Sequence, residues 1–344
     1  MKKGKLIYII YLTAICLITI YFSIEIVQRK ISIPFIGKFV TPLTENIITL
    51  AYSFDEKRLV QEIEKYASVP VELRIKSCEG DYRNPEGFRD YQYEITKPNN
   101  TFRIIALGDS FTEGAWVPIN DTWPKKLEKK LNQLNFSKKF EVLNFGIGGV
   151  GTLEEVELFK EKGLKYNPDM VILLFYPNDW ENSLQIRKRT EELWQMYKNG
   201  SFKFPTIVEK RIKELNASEE DVSRLVNQVA ISEFWDYAKQ KGLENIWKEN
   251  VEYPLKELID ICKRQKIELI VVGIDLTKSM IDNEHQLLNN FLLANGAIFL
   301  DVTPYFPFDE KELRVPDMHL SEKGHELLAT KLFEFLIQTN KITK

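Results

Sequence analysis

Short apolar runs alternate with amphipathic stretches along most of the chain. Five runs are rich in Val, Ile, Leu and Phe with little polar alternation, at 102–107, 140–145, 170–176, 267–274 and 297–302. Such runs are typical of parallel strands that are covered on both faces. Apolar residues recur at the helical i, i+3, i+4 spacing in the ranges 122–134, 152–164, 256–266, 278–295 and 321–338.

This alternation predicts an α/β fold of the flavodoxin-like, three-layer α/β/α type, with about five parallel strands and right-handed crossovers. A capping box is expected at one helix start, where Glu155 follows Thr152 by three residues. The range 181–253 carries no convincing strand, only helical segments with Trp194, Trp235 and Trp247. It forms either a helical cap over the active site or a set of helices that pads one flank.

The start of the chain has a different pattern. An uncharged run at 6–24 follows Lys2, Lys3 and Lys5, and as a helix it would reach about 28 Å, close to the thickness of a bilayer core. We predict a retained signal anchor with its N-terminus in the cytoplasm, which places the rest of the chain outside. A cleaved signal peptide and a buried soluble helix are the alternatives, although no A-x-A cleavage site follows the run.

These patterns divide the chain into three parts. Residues 1–30 form the cytoplasmic start and the transmembrane anchor. Residues 31–100 form a stalk and a lead-in segment, with scattered prolines and one helix predicted at 55–66. Residues 101–344 form the main domain, with the helical insert at 181–253.

Composition excludes several classes of protein. The chain has 344 residues, of which 44% are hydrophobic, so it is not disordered. A net charge of -3 argues against a dedicated nucleic-acid binder. With only three histidines, a His-rich metal site is not expected. Three cysteines cannot form a disulfide framework; Cys78 and Cys262 either pair with each other or are two buried free thiols.

Small and polar residues follow the first three main-domain strands. The first is followed by GDSFTEG, which places Ser110 where a nucleophile belongs, although Thr112 replaces the second glycine of the G-x-S-x-G elbow. We expect the preceding Asp109 to be a helix-cap or turn residue. The second strand ends in NFGIGGVG, whose glycines let backbone N–H groups approach a ligand. This loop also matches the dinucleotide string G-x-G-x-x-G, but it follows the second strand and not the first.

The third strand is followed by YPND, which places the side-chain amide of Asn178 near the same edge. The last motif, DMHLSEKGH, precedes the final helix. An Asp two residues before a His can orient the imidazole, so Asp317 and His319 form a candidate pair. His285 and His325 lie inside predicted amphipathic helices without a carboxylate beside them, and we expect them to be solvated or to support the site from a distance.

In these four motifs the chain resembles the SGNH (GDSL-type) hydrolase superfamily, from residue 84 to the C-terminus. The resemblance implies Ser110 as nucleophile, His319 as general base and Asp317 as the residue that orients His319. It also implies an oxyanion hole made by the Ser110 backbone N–H, Gly149 and Asn178, with the adjacent Gly148 as the alternative glycine. The Asp-x-His spacing is one residue shorter than the commoner Asp-x-x-His and is similar to that of some anchored and polysaccharide-modifying relatives.

The resemblance implies a serine esterase that cleaves an O-acyl ester on an extracytoplasmic glycan, lipid or small molecule, without a cofactor or metal. The expected partners are this acyl-ester substrate and the membrane, and not a nucleic acid. One alternative is an O-acyltransferase of envelope polysaccharide that uses the same three residues. Another is a non-catalytic binding module on an inherited fold.

Overall fold

Five parallel strands form the central sheet. They are β1 (Thr101–Gly108), β2 (Lys139–Gly146), β3 (Met170–Phe175), β4 (Glu268–Gly273) and β5 (Ile298–Asp301). Their order is β2-β1-β3-β4-β5, which is the flavodoxin-like order. The sequence prediction of five parallel strands in an α/β fold is therefore confirmed.

The computed structural model describes residues 56–68, 82–134, 136–276, 284–307, 309–315 and 318–342. The predicted membrane span at 6–24, Cys78 and Asp317 lie outside these residues. In the described part of the chain, no helix is both long enough and apolar enough to cross a bilayer. The boundaries proposed at residues 30 and 100 stay a prediction.

The helices lie between and around the strands. They are α1 (Glu56–Ser68), α2 (Ser110–Glu113), α3 (Trp123–Asn132), α4 (Thr152–Glu161), α5 (Ser183–Lys198), α6 (Thr206–Glu214), α7 (Glu219–Lys241), α8 (Leu243–Trp247), α9 (Tyr253–Gln265), α10 (Glu284–Ala294) and α11 (Glu322–Gln338). The insert contains helices α5 to α8 and a π-helical turn, Lys248–Glu252, so its helical character is confirmed. The helix predicted at 55–66 is confirmed as α1.

Both faces of the sheet are covered. On one face, Ile104 and Ala106 of β1 belong to the same buried cluster as Trp123 of α3 and Leu332 of α11. Helices α3 and α11 pack against each other there, whereas α4 packs against β1 and against α9. Strand side chains point alternately to the two faces, so a sheet between two helical layers requires strands that are apolar on both sides. This explains the continuous apolar runs of the sequence.

The strand register brings three strand ends together. Gly108 at the end of β1 aligns with Gly146 of β2 and with Leu174 of β3. The order of the strands reverses between β1 and β3, and in such sheets the crevice at the carboxyl ends of the strands is where ligands bind. The three loops that follow β1, β2 and β3 therefore open onto one crevice.

The lead-in segment at 82–100 packs on the main domain through ion pairs. The ammonium of Lys125 lies 2.9 Å from Asp90 Oδ1, and both side chains are almost completely buried. Asp90 Oδ2 also accepts a hydrogen bond from the backbone N–H of Asn144, at 2.7 Å. At the opposite ends of the strands, Lys97 pairs with Asp169 at 2.8 Å, just before β3. The segment is thus attached at both ends of the strands.

One local expectation needs correction. The capping box predicted from Thr152 and Glu155 is wrong: α4 has Gly151 as its N-cap, and it is Glu154 that accepts the Gly151 N–H, at 3.2 Å. Both residues of the predicted box are completely buried instead. Cys262 is a buried free thiol, and burial raises its pKa to about 12. Of the two alternatives that the sequence left open for Cys262, the structure therefore has the free thiol.

Candidate active site

Ser110 is the first residue of the short helix α2, directly after β1. Asp109 is the N-cap of this helix, and its Oδ1 accepts the Phe111 N–H at 2.9 Å. The turn packs tightly on β2, because a Cβ atom at Gly146 would overlap the backbone nitrogen of Glu113. A glycine is therefore required at the end of β2 for α2 to lie where it does. This packing leaves the Ser110 side chain only partly buried.

The imidazole of His319 lies against the Ser110 hydroxyl. His319 Nε2 is 2.8 Å from Ser110 Oγ, although the two residues are 209 positions apart. The imidazole stacks on the Phe111 ring with a centroid distance of 5.0 Å, and Phe111 stacks in turn on Tyr176 at 4.1 Å. The aromatic rings of the first and third motifs thus hold the histidine of the fourth motif over the serine.

The backbone before His319 is tightly turned. Met318 has a φ of +79°, in the left-handed region that a side chain other than glycine rarely adopts. The Val315 N–H donates to the His319 carbonyl, and the Met318 N–H donates to the Val315 carbonyl, both at 2.9 Å. Conformations of this kind are retained where the surrounding structure enforces them, often at functional sites. The orienting role of Asp317, which lies outside the described residues, stays a prediction.

Asp109 connects the first motif to the third. Its Oδ2 accepts a hydrogen bond from Asn178 Nδ2 at 3.2 Å and lies 3.4 Å from Ser110 Oγ. The cap role predicted for Asp109 is confirmed, and the contact with Asn178 is a further role that its place in the sequence did not reveal. Complete burial raises the pKa of Asp109, against the lowering effect of the Phe111 N–H and of His319. Because Asp109 Oδ2 contacts both Asn178 and Ser110, it holds the Asn178 amide close to Ser110.

The glycine loop after β2 is held by the helix that carries Ser110. The backbone N–H of Gly148 donates to Glu113 Oε2 at 2.9 Å. Gly149 has a φ of +71°, and no atom lies within 4 Å of the place where its Cβ would stand. The loop therefore needs glycine at this position and faces open space there. Sequence reasoning missed Glu113 as a residue that contacts the glycine loop. The feature that could have indicated it is the presence of an acidic residue inside the motif that follows β1.

Glu155 lies close enough to Asp109 for the two charges to interact. Neither of its carboxyl oxygens has a hydrogen-bond partner among the described residues. Burial, and then the charges of Asp109 and Glu154, raise the pKa of Glu155 well above its usual value. Glu155 is therefore a buried carboxyl group and not the capping carboxylate that the sequence predicted.

For His325 the sequence left two alternatives, a solvated ring and a ring that supports the site from a distance. The solvated alternative is excluded, because His325 is completely buried in α11, and its Nδ1 accepts the N–H of Trp123 at the start of α3, at 3.1 Å. Burial lowers the pKa of His325 to about 3, so the ring is neutral. His285 does have a carboxylate partner, since its Nδ1 lies 3.2 Å from Asp301 Oδ1 at the end of β5. The sequence did not reveal this pair, because the two residues are 16 positions apart and belong to different elements.

The insert is attached next to the third motif. The turn Pro177–Trp180 carries Asn178, and the Trp180 ring makes edge contacts with Trp235 and Trp247 at 4.9 and 5.6 Å. The following residue, Glu181, accepts a hydrogen bond from Trp235 Nε1 at 2.8 Å. Burial raises the pKa of Glu181 to about 7, opposed by Trp235 and by the charge of Arg58. Whether the insert covers the active site stays a prediction.

In the part of the chain that the structure describes, no group of three or more His, Cys, Asp or Glu side chains is placed to hold a metal ion. The site instead pairs a serine hydroxyl with an imidazole at the carboxyl edge of a parallel sheet. An activated serine beside its base is the arrangement of a serine hydrolase.

Comparison with known proteins agrees with this class. Residues 106–327, more than half of the chain, match the model of the GDSL-like Lipase/Acylhydrolase family. The chain therefore belongs to this family and is an SGNH-type serine hydrolase that acts on ester bonds. Comparison with curated proteins returned no match.

Several solved structures are similar to the chain at low sequence identity and with low TM-scores. A catalytic mutant of an acetylxylan esterase from Geobacillus stearothermophilus is 14% identical, with a TM-score of 0.42 over 68% of this chain and 93% of the other. A psychrotrophic esterase from Pseudoalteromonas sp. is 12% identical, with a TM-score of 0.42 over 71% and 100%. An α/β hydrolase from the metagenome of Lake Arreo, Spain, is 13% identical, with a TM-score of 0.43 over 71% and 97%.

The raised pKa of Glu181 predicts a pH-dependent stability. Between about pH 4.5 and 7 the folded protein binds this proton and the unfolded chain does not, so the free energy of unfolding falls as the pH rises. We expect Glu181→Gln, which keeps an acceptor for Trp235, to remove the part of this decline that Glu181 causes and to be about 2 kcal/mol more stable than the wild type at pH 8. Urea denaturation from pH 5 to 8 measures the effect.

The matched control for this experiment is Glu191→Gln, which neutralises an exposed carboxylate of the insert helix α5. This variant should keep the pH dependence of the wild type. An identical pH dependence in Glu181→Gln and in the wild type would show that Glu181 is not protonated in the folded protein at neutral pH.

Proposed function

We propose that the protein is a membrane-anchored serine esterase that removes an O-acyl group from an extracytoplasmic glycan, lipid or small molecule. The observation that carries the catalytic part of this proposal is the 2.8 Å contact between His319 Nε2 and Ser110 Oγ. A serine hydroxyl is a weak nucleophile until a base at this distance takes its proton. No other histidine among the described residues contacts Ser110, since His285 and His325 have partners elsewhere.

The reaction proceeds in two halves. Ser110 Oγ attacks the ester carbonyl carbon while its proton passes to His319 Nε2. The tetrahedral intermediate collapses when His319 returns this proton to the leaving alcohol, which breaks the ester bond and leaves an acyl-serine. A water molecule then attacks the acyl carbon, with His319 as its base, and the carboxylic acid leaves as Ser110 is restored.

The charge that develops on the carbonyl oxygen requires donors that are already in place. We assign this role to the backbone N–H groups of Ser110 and Gly149 and to the Asn178 amide. Each donor of this kind contributes about 2.7–4 kcal/mol to the transition state. Asn178 Nδ2 has two protons, of which one reaches Asp109 at 3.2 Å, so the second can serve the oxyanion. Asp317 is proposed to orient His319.

The membrane part of the proposal rests on the sequence. The uncharged run at 6–24 is long enough to span a bilayer, and the lysines that precede it favour a cytoplasmic N-terminus. With this orientation the hydrolase domain lies outside the cytoplasm. The substrate is then an acyl ester that is accessible from that side of the membrane.

Replacement of the nucleophile tests the catalytic proposal. We expect Ser110→Ala to lower kcat/KM for p-nitrophenyl acetate by at least ~10⁴-fold, because no other group can form the acyl intermediate. Ser232→Ala, in the insert helix α7, is the matched control and should retain full activity. Full activity in Ser110→Ala would contradict the assignment.

Product analysis with acetylated sugars in the same assay separates hydrolysis from acyl transfer. The proposed esterase releases free acid in an amount equal to the alcohol released. Acylated acceptor in excess of free acid would instead identify an O-acyltransferase that uses the same serine.

Recovery of the N-terminal peptide tests the anchor. We expect carbonate-washed membranes to retain the full chain, and mass spectrometry of that fraction to find the peptide that follows Lys5. A soluble chain whose N-terminus lies beyond residue 24 would identify a cleaved signal peptide and contradict the anchor.

A further inference from the structure

We propose that Glu113 and Arg83 are positioning residues for the oxyanion hole, and that they select Gly149 over Gly148 as its backbone donor. The inference rests on the proposed function, because it assumes that Ser110 is the nucleophile and that the glycine loop binds the oxyanion. It concerns a carboxylate inside the GDSFTEG motif and an arginine of the lead-in segment, neither of which contacts the reacting atoms.

The first step concerns which glycine is available. The Gly148 N–H donates to Glu113 Oε2 at 2.9 Å, and a hydrogen bond to a carboxylate is among the stronger bonds that an N–H forms. This N–H is therefore occupied and does not serve a developing oxyanion. The next N–H along the loop is that of Gly149, whose residue is exposed and faces open space. The choice between the two glycines that the sequence left open is resolved in favour of Gly149.

The second step concerns how firmly the loop is held. A Cβ atom at Gly148 would lie only 2.8 Å from Glu113 Oε2, so the loop backbone sits directly against this carboxylate. Glu113 is almost completely buried and lies three residues after Ser110 in α2. The nucleophile and the anchor of the oxyanion loop therefore belong to a single helical turn. A shift of the loop relative to Ser110 requires the Glu113 contact to break.

The third step concerns the charge of Glu113. Its second oxygen, Oε1, accepts a hydrogen bond from Arg83 Nη2 at 2.7 Å, and Arg83 Nη1 donates to the Gly87 carbonyl at 3.2 Å. A hydrogen bond between a guanidinium and a carboxylate is charge-assisted and directional. The lead-in segment thus supplies the cation that pairs with Glu113 and orients its carboxylate toward the loop. Because the Arg83 side chain is 41% exposed, solvent replaces part of its effect when it is removed.

The experiment compares Glu113→Ala, Glu113→Gln and Arg83→Met with Lys97→Met. Lys97→Met is the matched control. It removes an ion pair of similar length that joins the same lead-in segment to the amino end of β3, away from the active site. For each folded variant, kcat and KM are measured with p-nitrophenyl acetate. The inhibition constant of an alkylboronic acid, which forms a tetrahedral adduct with an active-site serine, is measured in parallel.

We expect Glu113→Ala to lower kcat/KM by about 10–100-fold with little change in KM, since a small displacement of a catalytic group has effects of this size. The loss should be smaller in Glu113→Gln, which keeps an acceptor for Gly148, and smaller again in Arg83→Met. The boronic acid should bind more weakly by the same factor in each variant, because it resembles the transition state. Lys97→Met should leave both values unchanged.

Two results would overturn the inference. One is a Glu113→Ala or Arg83→Met enzyme with the kinetic constants of Lys97→Met. The other is a loss of kcat without a change in boronic acid affinity, which indicates fewer active molecules and not a displaced oxyanion hole. If Glu113→Ala does not fold, Arg83→Met decides the question. Retention of activity in Ser110→Ala would refute the proposed function itself, whereas these results refute only the positioning role.

Discussion

The buried carboxyl group of Asp109 is the contact on which the arrangement of the site depends. It lies between the first and third motifs, where it accepts the Phe111 N–H and the Asn178 amide and approaches the Ser110 hydroxyl. A polar group that is removed from water needs hydrogen-bond partners, because an unsatisfied one destabilises the fold. The donors that Asp109 requires are supplied by the elements that form the active site. The hydrogen bonds that satisfy Asp109 in the fold are therefore the same ones that hold the site together.

Strand register makes this convergence possible. Gly108 and Gly146 are aligned across β1 and β2, and Gly146 allows α2 to lie on the end of β2. The imidazole then reaches Ser110 from a loop more than 200 residues later, where stacking on Phe111 fixes the plane of the ring. The lead-in segment contributes Arg83, which donates a hydrogen bond to Glu113, and the insert contributes Trp235, which donates one to Glu181. Both are outside the four motifs, whereas Glu113 lies inside the first motif and Glu181 lies two residues after the third.

The sheet could be predicted from the sequence because buried parallel strands are apolar on both faces, and the five runs appear directly in the pattern. The resemblance of their motifs to the SGNH superfamily implied the pairing of Ser110 with His319, and the structure places the two side chains 2.8 Å apart. The capping box at Thr152 was wrong because local spacing does not reveal burial, and tertiary packing places Glu155 in the interior. The Asp301 partner of His285 and the Glu113 contact with Gly148 were missed because each joins residues that are distant in sequence.

The central claim is that His319 activates Ser110 as a nucleophile, and covalent labelling tests it most directly. The folded protein is treated with a fluorophosphonate and digested, and the modified peptide is identified by mass spectrometry, alongside His319→Ala. The account predicts a single adduct on Ser110 that is lost in His319→Ala, because the hydroxyl then has no base. A folded wild-type protein that remains unlabelled, or that is labelled at another residue, would contradict it.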